Sequence, residues 1–360
     1  MNLKFLLFSI LFFSASQISF SQTRHALIVA IGNYPEPDIN NWKVINSVND
    51  VPLIKNTLVN SQHFSEKNIQ LLIDSEATKK GILDALDKLY ASVQKGDIVV
   101  IHFSSHGQQL EDDNADEIDG LDEAIVPYGA AFDENPARYK ELAEGYIRDD
   151  LFGEKVTQLR NKLGRNGDLL VILDACHSGS GTRGVQTAEI RGGHVAMVSS
   201  NFNNKRFADT DKAAVFKENE QTKLSADAAT YVLISGAQAR ENNYECFDED
   251  KKRVGSLSYS FSRAMSSLKG NITYQGLFAM IENIMLEKAP RQKPVLEGDG
   301  VNRELFGGKY ERQQTYFAIN QKLSKVDSIV LNAGYVSGIT KGSVIHFFDP
   351  GTTSTTGKKP

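Results

Sequence analysis

The chain is poor in cysteine, and this scarcity excludes one class of protein. Only Cys176 and Cys246 occur among 360 residues. A disulfide scaffold needs more bridges than two cysteines can form, so the chain must fold around an apolar core. The sequence does not exclude one disulfide bridge between them, and such a bridge would prevent Cys176 from acting as a nucleophile. The alternative is a free thiol, which together with a histidine elsewhere is a candidate nucleophile.

A basic excess is also lacking, because the formal net charge is -5 at pH 7. This balance gives no reason to expect binding to nucleic acid or to a charged membrane surface. Hydrophobic residues make up 41% of the chain. That content suffices for one large core and a small accessory domain.

Long apolar runs are missing apart from a short one near the start. Residues 5–13 are almost wholly apolar and follow Lys4, and the small residues Ser19 and Ser21 come after them. This pattern predicts a secretory signal peptide over residues 1–21 and a secreted or periplasmic mature chain. A membrane span is not expected, because the run falls short of the roughly 20 apolar residues that cross a bilayer.

Two apolar runs each lead to a reactive side chain. Residues 98–101 precede His106, and residues 169–173 precede Cys176. Continuous apolar runs of this kind are typical of strands buried on both faces of a parallel sheet. Because parallel strands finish at the same edge, we expect His106 and Cys176 to emerge together at the carboxyl edge of an open α/β sheet.

Further strands and helices alternate along the chain. The pattern predicts strands over 25–31, 69–73, 98–106, 169–176 and 231–235, and helices over 46–58, 78–92, 149–163, 256–268 and 273–286. This alternation favours a mainly parallel sheet flanked by helices. A long acidic loop is expected between residue 106 and the helix at 149. Short alternating runs over 328–331 and 343–348 predict a small β module in residues 311–360.

A polar segment over about 180–227 is expected to be a linker between a large half and a small half, the latter over about 228–310. Its basic residues are predicted to be exposed. They are Arg183, Arg191, Lys205, Arg206, Lys212, Lys217 and Lys223.

Several motifs resemble those of metacaspases. Residues 104–107, Ser-Ser-His-Gly, resemble the family's Ser-Gly-His-Gly, and residues 174–179, Asp-Ala-Cys-His-Ser-Gly, resemble its Asp-x-Cys-His-Ser-Gly. Further matches fall at residues 49–50, 122–127, 147–150 and 256–261. Their order and spacing extend the resemblance over about 25–308. It implies a caspase-like (caspase-hemoglobinase) α/β domain over 22–310 with cysteine endopeptidase activity.

Cys176 and His106 are the predicted nucleophile and base. A thiolate attacks the peptide carbonyl, and an imidazole takes the thiol proton and later protonates the leaving amine. His177 is a less suitable base, because adjacent residues at a strand end point to opposite faces. The resemblance implies that the main-chain N–H groups of Gly107 and Cys176 form the oxyanion hole.

Asp174 shares the face of Cys176 on a predicted strand, since it lies two residues earlier. A carboxylate there opposes thiolate formation, so its charge is expected to serve the substrate. The resemblance implies a specificity pocket of Asp174 and Asp50, with Ser47 and Ser104 at further positions. Two carboxylates would receive the side chain of Arg or Lys. The alternative is that Asp50 decorates a helix and Asp174 is a buried acceptor.

The acidic stretch over 111–123 lacks the spacing of an EF-hand, so alone it reads as a solvated charge run. The resemblance, however, implies a Ca²⁺ site at Asp122, Asp149 and Asp150. Residues 181–183 depart from the family pattern, where a further aspartate is expected. Because that ligand is missing, the sequence leaves calcium dependence open. Calcium is a candidate activator, and the chemistry itself needs no cofactor.

Basic residues of the linker are predicted sites of self-cleavage, since the pocket is expected to accept Arg or Lys; ordinary solubilising charges are the alternative. Two other functions stay open, a non-catalytic caspase-like binding module and a clostripain-like or gingipain-like protease. The presence of both His106 and Cys176 disfavours the first. Asp122 and residues 149–150 favour the metacaspase type over the second.

Overall fold

The computed structural model describes most of the chain from residue 22 to residue 310, and short pieces beyond it. The described residues are 22–35, 42–114, 117, 119–175, 190–192, 194–202, 223–238, 241–268, 270–310, 319–323, 328–331, 339–348 and 352. The predicted signal peptide, Cys176 and His177 lie outside the described residues. Among the residues described, no helix combines the length and the apolarity that crossing a bilayer requires.

The predicted apolar runs form one central sheet. In chain order the strands are β1 (Arg24–Ala30), β2 (Ile69–Ile73), β3 (Ile98–Ser104), β4 (Gly107–Glu111), β5 (Leu121–Ile125), β6 (Ile147–Arg148), β7 (Asp168–Asp174), β8 (Thr230–Ser235), β9 (Glu245–Phe247), β10 (Arg253–Gly255), β11 (Val295–Glu297), β12 (Ile319–Leu323) and β13 (Ser328–Leu331). The central sheet has the order β11-β8-β7-β3-β1-β2. Its strands are parallel except β11, which runs antiparallel to β8. The predicted mainly parallel sheet is confirmed.

Helices cover both faces of this sheet. They are α1 (Asp50–Asn56), α2 (Lys79–Ser92), α3 (Tyr139–Ala143), α4 (Asp149–Leu163), α5 (Ser256–Ser266) and α6 (Tyr274–Lys288). Val99 and Ile101 of β3 belong to the core that includes α2 and α4, whereas Val100 belongs to the core of α1, α5 and α6. Side chains alternate across a strand, so a sheet covered on both faces needs continuous apolar runs.

The predicted acidic loop is wrong over part of its length. β4, β5 and β6 form a separate three-stranded antiparallel sheet there. Gln108, Asp122 and Glu123 are buried within it. Because these strands bury polar side chains, they lack the apolar alternation by which half-buried strands are recognised.

The C-terminal prediction is half right. β12 and β13 pair as an antiparallel hairpin, and β13 covers the predicted run over 328–331. Residues 343–348 are described without a strand. Val344 is 79% exposed and Phe347 is 51% exposed, so these apolar side chains are not covered by a sheet within the described part of the chain.

Candidate active site

His106 lies just beyond the carboxyl end of β3, in an aromatic environment. Its ring centroid is 5.0 Å from that of Tyr34 and 4.8 Å from that of Trp42, and the residue is 2% exposed. The Tyr34 hydroxyl accepts a hydrogen bond from the His106 main-chain N–H at 3.0 Å and donates to the Val126 carbonyl. The strand end and these contacts therefore fix both the backbone and the ring of His106.

The tautomer of His106 is set by a main-chain carbonyl. Nε2 lies 2.8 Å from the carbonyl oxygen of Lys43, which can only accept, so this nitrogen carries the proton. Nδ1 is buried and has no hydrogen-bond partner among the described residues. Burial lowers the pKa of the ring to about 3, which favours the neutral imidazole. The unprotonated Nδ1 is the atom that can act as a base.

The strand register brings the positions of the predicted pair to one edge of the sheet. β3 and β7 are adjacent and parallel, with Ser104 opposite Asp174. His106 follows Ser104 by two residues, and Cys176 follows Asp174 by two residues. The side chain of Cys176 lies outside the described residues, so its pairing with His106 stays a prediction. Gly107, the other predicted oxyanion residue, begins β4.

Cys246 is a free and buried thiol, which excludes the bridge to Cys176. Burial raises the pKa of the Cys246 thiol to about 12. A thiol that stays protonated is a poor nucleophile. Cys176 is therefore left as the candidate nucleophile.

The structure brings three of the predicted pocket residues together, and an arginine of the same chain lies among them. Nη1 of Arg191 lies 2.8 Å from Asp50 Oδ2, 2.7 Å from Ser104 Oγ and 3.4 Å from Asp174 Oδ1. All four residues are fully buried. Burial opposes the charge of Arg191, but the surrounding carboxylates outweigh it and raise the pKa of the guanidinium. The expectation that Arg191 is an exposed linker residue is therefore wrong.

Asp174 is held rigidly in this pocket. The main-chain N–H and the hydroxyl of Ser258 both donate to Asp174 Oδ2 at 2.7 Å, and the Asn243 side chain donates to Oδ1 at 2.8 Å. Asp50 accepts a hydrogen bond from the Gly255 N–H at 2.8 Å through Oδ1. These donors stabilise buried carboxylates that would otherwise be costly to leave ionised.

Glu245 is a third carboxylate of the pocket, and no motif in the sequence predicts it. Its Oε1 lies 3.2 Å from Arg191 Nη2, and its carboxylate also accepts hydrogen bonds from the N–H and the side chain of Asn46 at 2.7 Å. Nη1 and Nη2 thus meet different carboxylates, which suits the planar fork of a guanidinium. Glu245 lies on β9, outside the recognised motifs, so only the folded chain reveals its role.

Gly255 leaves the space that the guanidinium occupies. A Cβ at this position would overlap the Asp174 carboxylate and Nη1 of Arg191. Glycine is needed wherever a backbone must approach a bound group this closely.

Ser47, the remaining predicted pocket residue, is fully buried in the 3-10 turn before α1. Its hydroxyl has no hydrogen-bond partner within the described part of the chain, so it does not bind Arg191 there.

The segment around Arg191 continues past His106. The Arg191 N–H donates to the Asn243 carbonyl at 3.0 Å, and Ile190 forms an antiparallel bridge with Tyr244. The His194 ring stacks on Phe132, and its centroid is 4.7 Å from that of Trp42. Residues 190–192 and 194–199, which we call the cleft segment, thus run from the acidic pocket to the surroundings of His106.

The acidic region brings together two of the three predicted calcium ligands. Oxygen atoms of Asp113, Asp122 and Asp150 all lie within 4.8 Å of one another. Asp149 is buried and accepts a hydrogen bond from the Asp150 N–H. Carboxylate oxygens are the ligands that Ca²⁺ prefers, so this donor set fits a calcium ion.

Arg148 competes for this acidic region, since its guanidinium pairs with both Asp122 and Asp113. The nearby carboxyl groups are easily protonated. Burial raises the pKa of Asp122 to about 7 and that of Glu123 to about 8.

Comparison with known families assigns most of the chain. Residues 23–306 match the family described as Caspase domain. A crystal structure of protein GSU0716 from Geobacter sulfurreducens has a similar fold, with a TM-score of 0.50 and 19% sequence identity. It covers 77% of this chain, and the match takes in 93% of that chain. At this identity the likeness concerns the fold alone.

Curated relatives are metacaspases of fungi and plants. Metacaspase-1A of Aspergillus oryzae is 28% identical over 326 residues, covering 80% of this chain and 72% of the relative. Metacaspase-1 of Eremothecium gossypii is 26% identical and covers 76% and 63%. Metacaspase-8 of Arabidopsis thaliana is 33% identical and covers 43% and 37%. The chain therefore spans between about a third and three quarters of the length of these relatives.

Proposed function

The chain belongs to the caspase-domain family of cysteine peptidases, and on that basis we propose that it hydrolyses peptide bonds after arginine or lysine with Cys176 and His106. One observation carries the specificity. The acidic pocket of Asp50, Asp174 and Glu245 holds the guanidinium of Arg191 in full burial. A buried cation needs charged partners of this kind, and a substrate side chain of the same charge would meet the same oxygens.

The proposed reaction uses the unprotonated Nδ1 of His106. Nδ1 takes the thiol proton of Cys176, and the thiolate attacks the carbonyl carbon of the bound arginine residue. The oxyanion is stabilised by the main-chain N–H groups of Gly107 and Cys176. His106 then returns the proton to the leaving amine as the C–N bond breaks. Water hydrolyses the thioester with the same imidazole as base, which restores the thiol.

Calcium and export complete the proposal. Ca²⁺ acts as an activator through the carboxylates around Asp122 and Asp150, where it would have to displace the guanidinium of Arg148. The predicted signal peptide directs the chain to a secreted or periplasmic location. Peptides and proteins with an accessible arginine or lysine are the proposed substrates.

Paired fluorogenic peptides test this function. We expect hydrolysis after arginine or lysine, none after aspartate, faster turnover with added Ca²⁺ and complete loss in Cys176→Ala. The variant Cys246→Ala is the matched control, because the Cys246 thiol is buried and protonated. Cleavage after aspartate would contradict the pocket assignment, and activity that survives in Cys176→Ala would contradict the mechanism.

Self-cleavage is proposed at the bond between Arg191 and Gly192. Arg191 already occupies the pocket in which an arginine before the cleaved bond is expected, and its N–H pairs with the Asn243 carbonyl. The same contacts keep an external arginine out of the pocket. Cutting and release of the cleft segment would therefore precede turnover of other substrates.

Arg191→Ala is expected to abolish the cut after residue 191. If cutting precedes turnover, the wild-type protein hydrolyses peptides only after a lag, and Arg191→Ala should remove this lag because its pocket no longer holds the chain's own arginine. N-terminal sequencing or mass spectrometry of the fragments measures the cut. Lys223→Gln is the control, since Lys223 is an exposed linker residue. An unchanged fragment pattern in Arg191→Ala would contradict this assignment.

A further inference from the structure

Two aromatic side chains receive the cleft segment beyond the acidic pocket. The rings of Phe132 and His194 are stacked, with centroids 4.0 Å apart and planes inclined by 13°. The ring centroid of Trp42 lies 4.7 Å from that of His194, with the planes inclined by 73°, and 4.8 Å from that of His106. Trp42 and Phe132 are buried beneath this contact, at 0% and 3% exposure. Trp42 and Phe132, which we call the aromatic surface, therefore lie next to His106, the proposed catalytic base.

The main chain of the cleft segment is held next to this surface by β4. The Met197 N–H donates to the Gln109 carbonyl at 2.9 Å, and the Glu111 N–H donates to the Met197 carbonyl at 3.1 Å. The Gln108 side chain donates to the Val195 carbonyl at 2.7 Å. Since β4 is an edge strand of its sheet, it can accept another extended chain in the same way.

Counting along the chain sets the position of the aromatic surface. With Arg191 in the acidic pocket, Gly192, Gly193 and His194 are the first, second and third residues after the proposed cleaved bond. Hydrogen bonds between β4 and the main chain of a substrate do not discriminate between substrate sequences. Stacking on Phe132 and Trp42 instead selects flat side chains, since aromatic pairs gain energy beyond the apolar area that they bury.

We propose that Trp42 and Phe132 form a substrate subsite for an aromatic or histidine side chain at the third residue after the cleaved bond. The proposal rests on the proposed endopeptidase function. A bound substrate takes the place of the cleft segment, with its arginine in the acidic pocket and its downstream residues along β4. Selection then acts on both sides of the cleaved bond.

Internally quenched peptides that differ only at the third residue after arginine test the subsite. We expect kcat/KM for phenylalanine or histidine at this position to exceed that for alanine or aspartate by about tenfold. In Phe132→Leu this ratio falls to about one third of the wild-type value or less, because a branched aliphatic chain fills the space without a flat face. Ratios measured within one variant are insensitive to differences in the folded fraction.

Tyr90→Leu is the matched control, since Tyr90 is an exposed aromatic residue of α2 and its loss should leave the ratio unchanged. A peptidyl-arginine coumarin, which has no residues after the cleaved bond, reports on the acidic pocket alone. Equal kcat/KM for all peptides, or an unchanged ratio in Phe132→Leu, would overturn the subsite while cleavage after arginine stands. Failure to hydrolyse the coumarin substrate at all would overturn the proposed function and the subsite together.

Discussion

His106→Ala is expected to lower kcat/KM for an arginine peptide by about 10³-fold, within the range that general acid–base catalysis contributes. Nδ1 is the unprotonated nitrogen, because the Lys43 carbonyl fixes the proton on Nε2. Alanine removes the base that deprotonates Cys176 and the acid that protonates the leaving amine. Initial rates measure the loss in an Arg191→Ala background, in which the pocket is open without self-cleavage and both proteins are compared in the same uncut form.

The matched control for this prediction is His63→Asn, a substitution of an exposed histidine remote from the cleft. Asparagine tolerates the positive φ of residue 63, which is 57°. We expect its kcat/KM to stay within about twofold of wild type, as surface changes have small effects. If His106→Ala kept more than a tenth of the wild-type rate, another group would have to be the base.

The His106 imidazole can act as a base only because of the groups around it. Some of these groups can be predicted from the sequence, and others cannot. The apolar run before His106 predicts the strand, and the run before Cys176 predicts its parallel neighbour. The hydrogen bond between the Lys43 carbonyl and the His106 ring cannot be predicted in this way. Every residue has a main-chain carbonyl, and only the fold decides which one meets the ring.

The acidic pocket divides in the same way. Asp50 and Asp174 could be assigned because motifs surround them, whereas Glu245 stands on a short strand without a motif. The sequence predicts an exposed Arg191, since basic residues in a polar linker are usually exposed. Its burial depends on long-range ion pairs with Asp50 and Glu245, which local composition does not encode.

Charged residues also make two strands, β4 and β5, difficult to predict from the sequence. The hairpin of β4 and β5 carries carboxylates and glutamines at buried positions, so its sequence pattern resembles that of a solvated loop. Residues 343–348 show the opposite error, because their alternation suited a strand but the described chain offers them no partner sheet. Periodicity predicts a strand only where a buried surface exists to receive it.

Asp50→Asn is expected to lower kcat/KM by about 10²-fold for arginine and lysine peptides alike. Asp50 Oδ2 is 2.8 Å from the guanidinium nitrogen that also meets Ser104, and Oδ1 is held by the Gly255 N–H. Removing one partner of a buried, hydrogen-bonded charge pair costs about 2–5 kcal/mol. The ammonium of a substrate lysine would take the position of the Arg191 Nη1 atom and would lose the same carboxylate. We therefore expect kcat/KM to fall for both peptides.

Glu245→Gln is expected to act differently, lowering kcat/KM about tenfold for arginine and less than threefold for lysine. Among the described residues Glu245 is the carboxylate that pairs with Nη2, and lysine has no second nitrogen to present there while its ammonium lies near Asp50. The ratio of kcat/KM for matched arginine and lysine peptides measures this selectivity. Glu287→Gln, on the exposed side of α6, should leave the ratio unaltered. Equal losses for both peptides in Glu245→Gln would mean that lysine also reaches this carboxylate and that the fork does not discriminate.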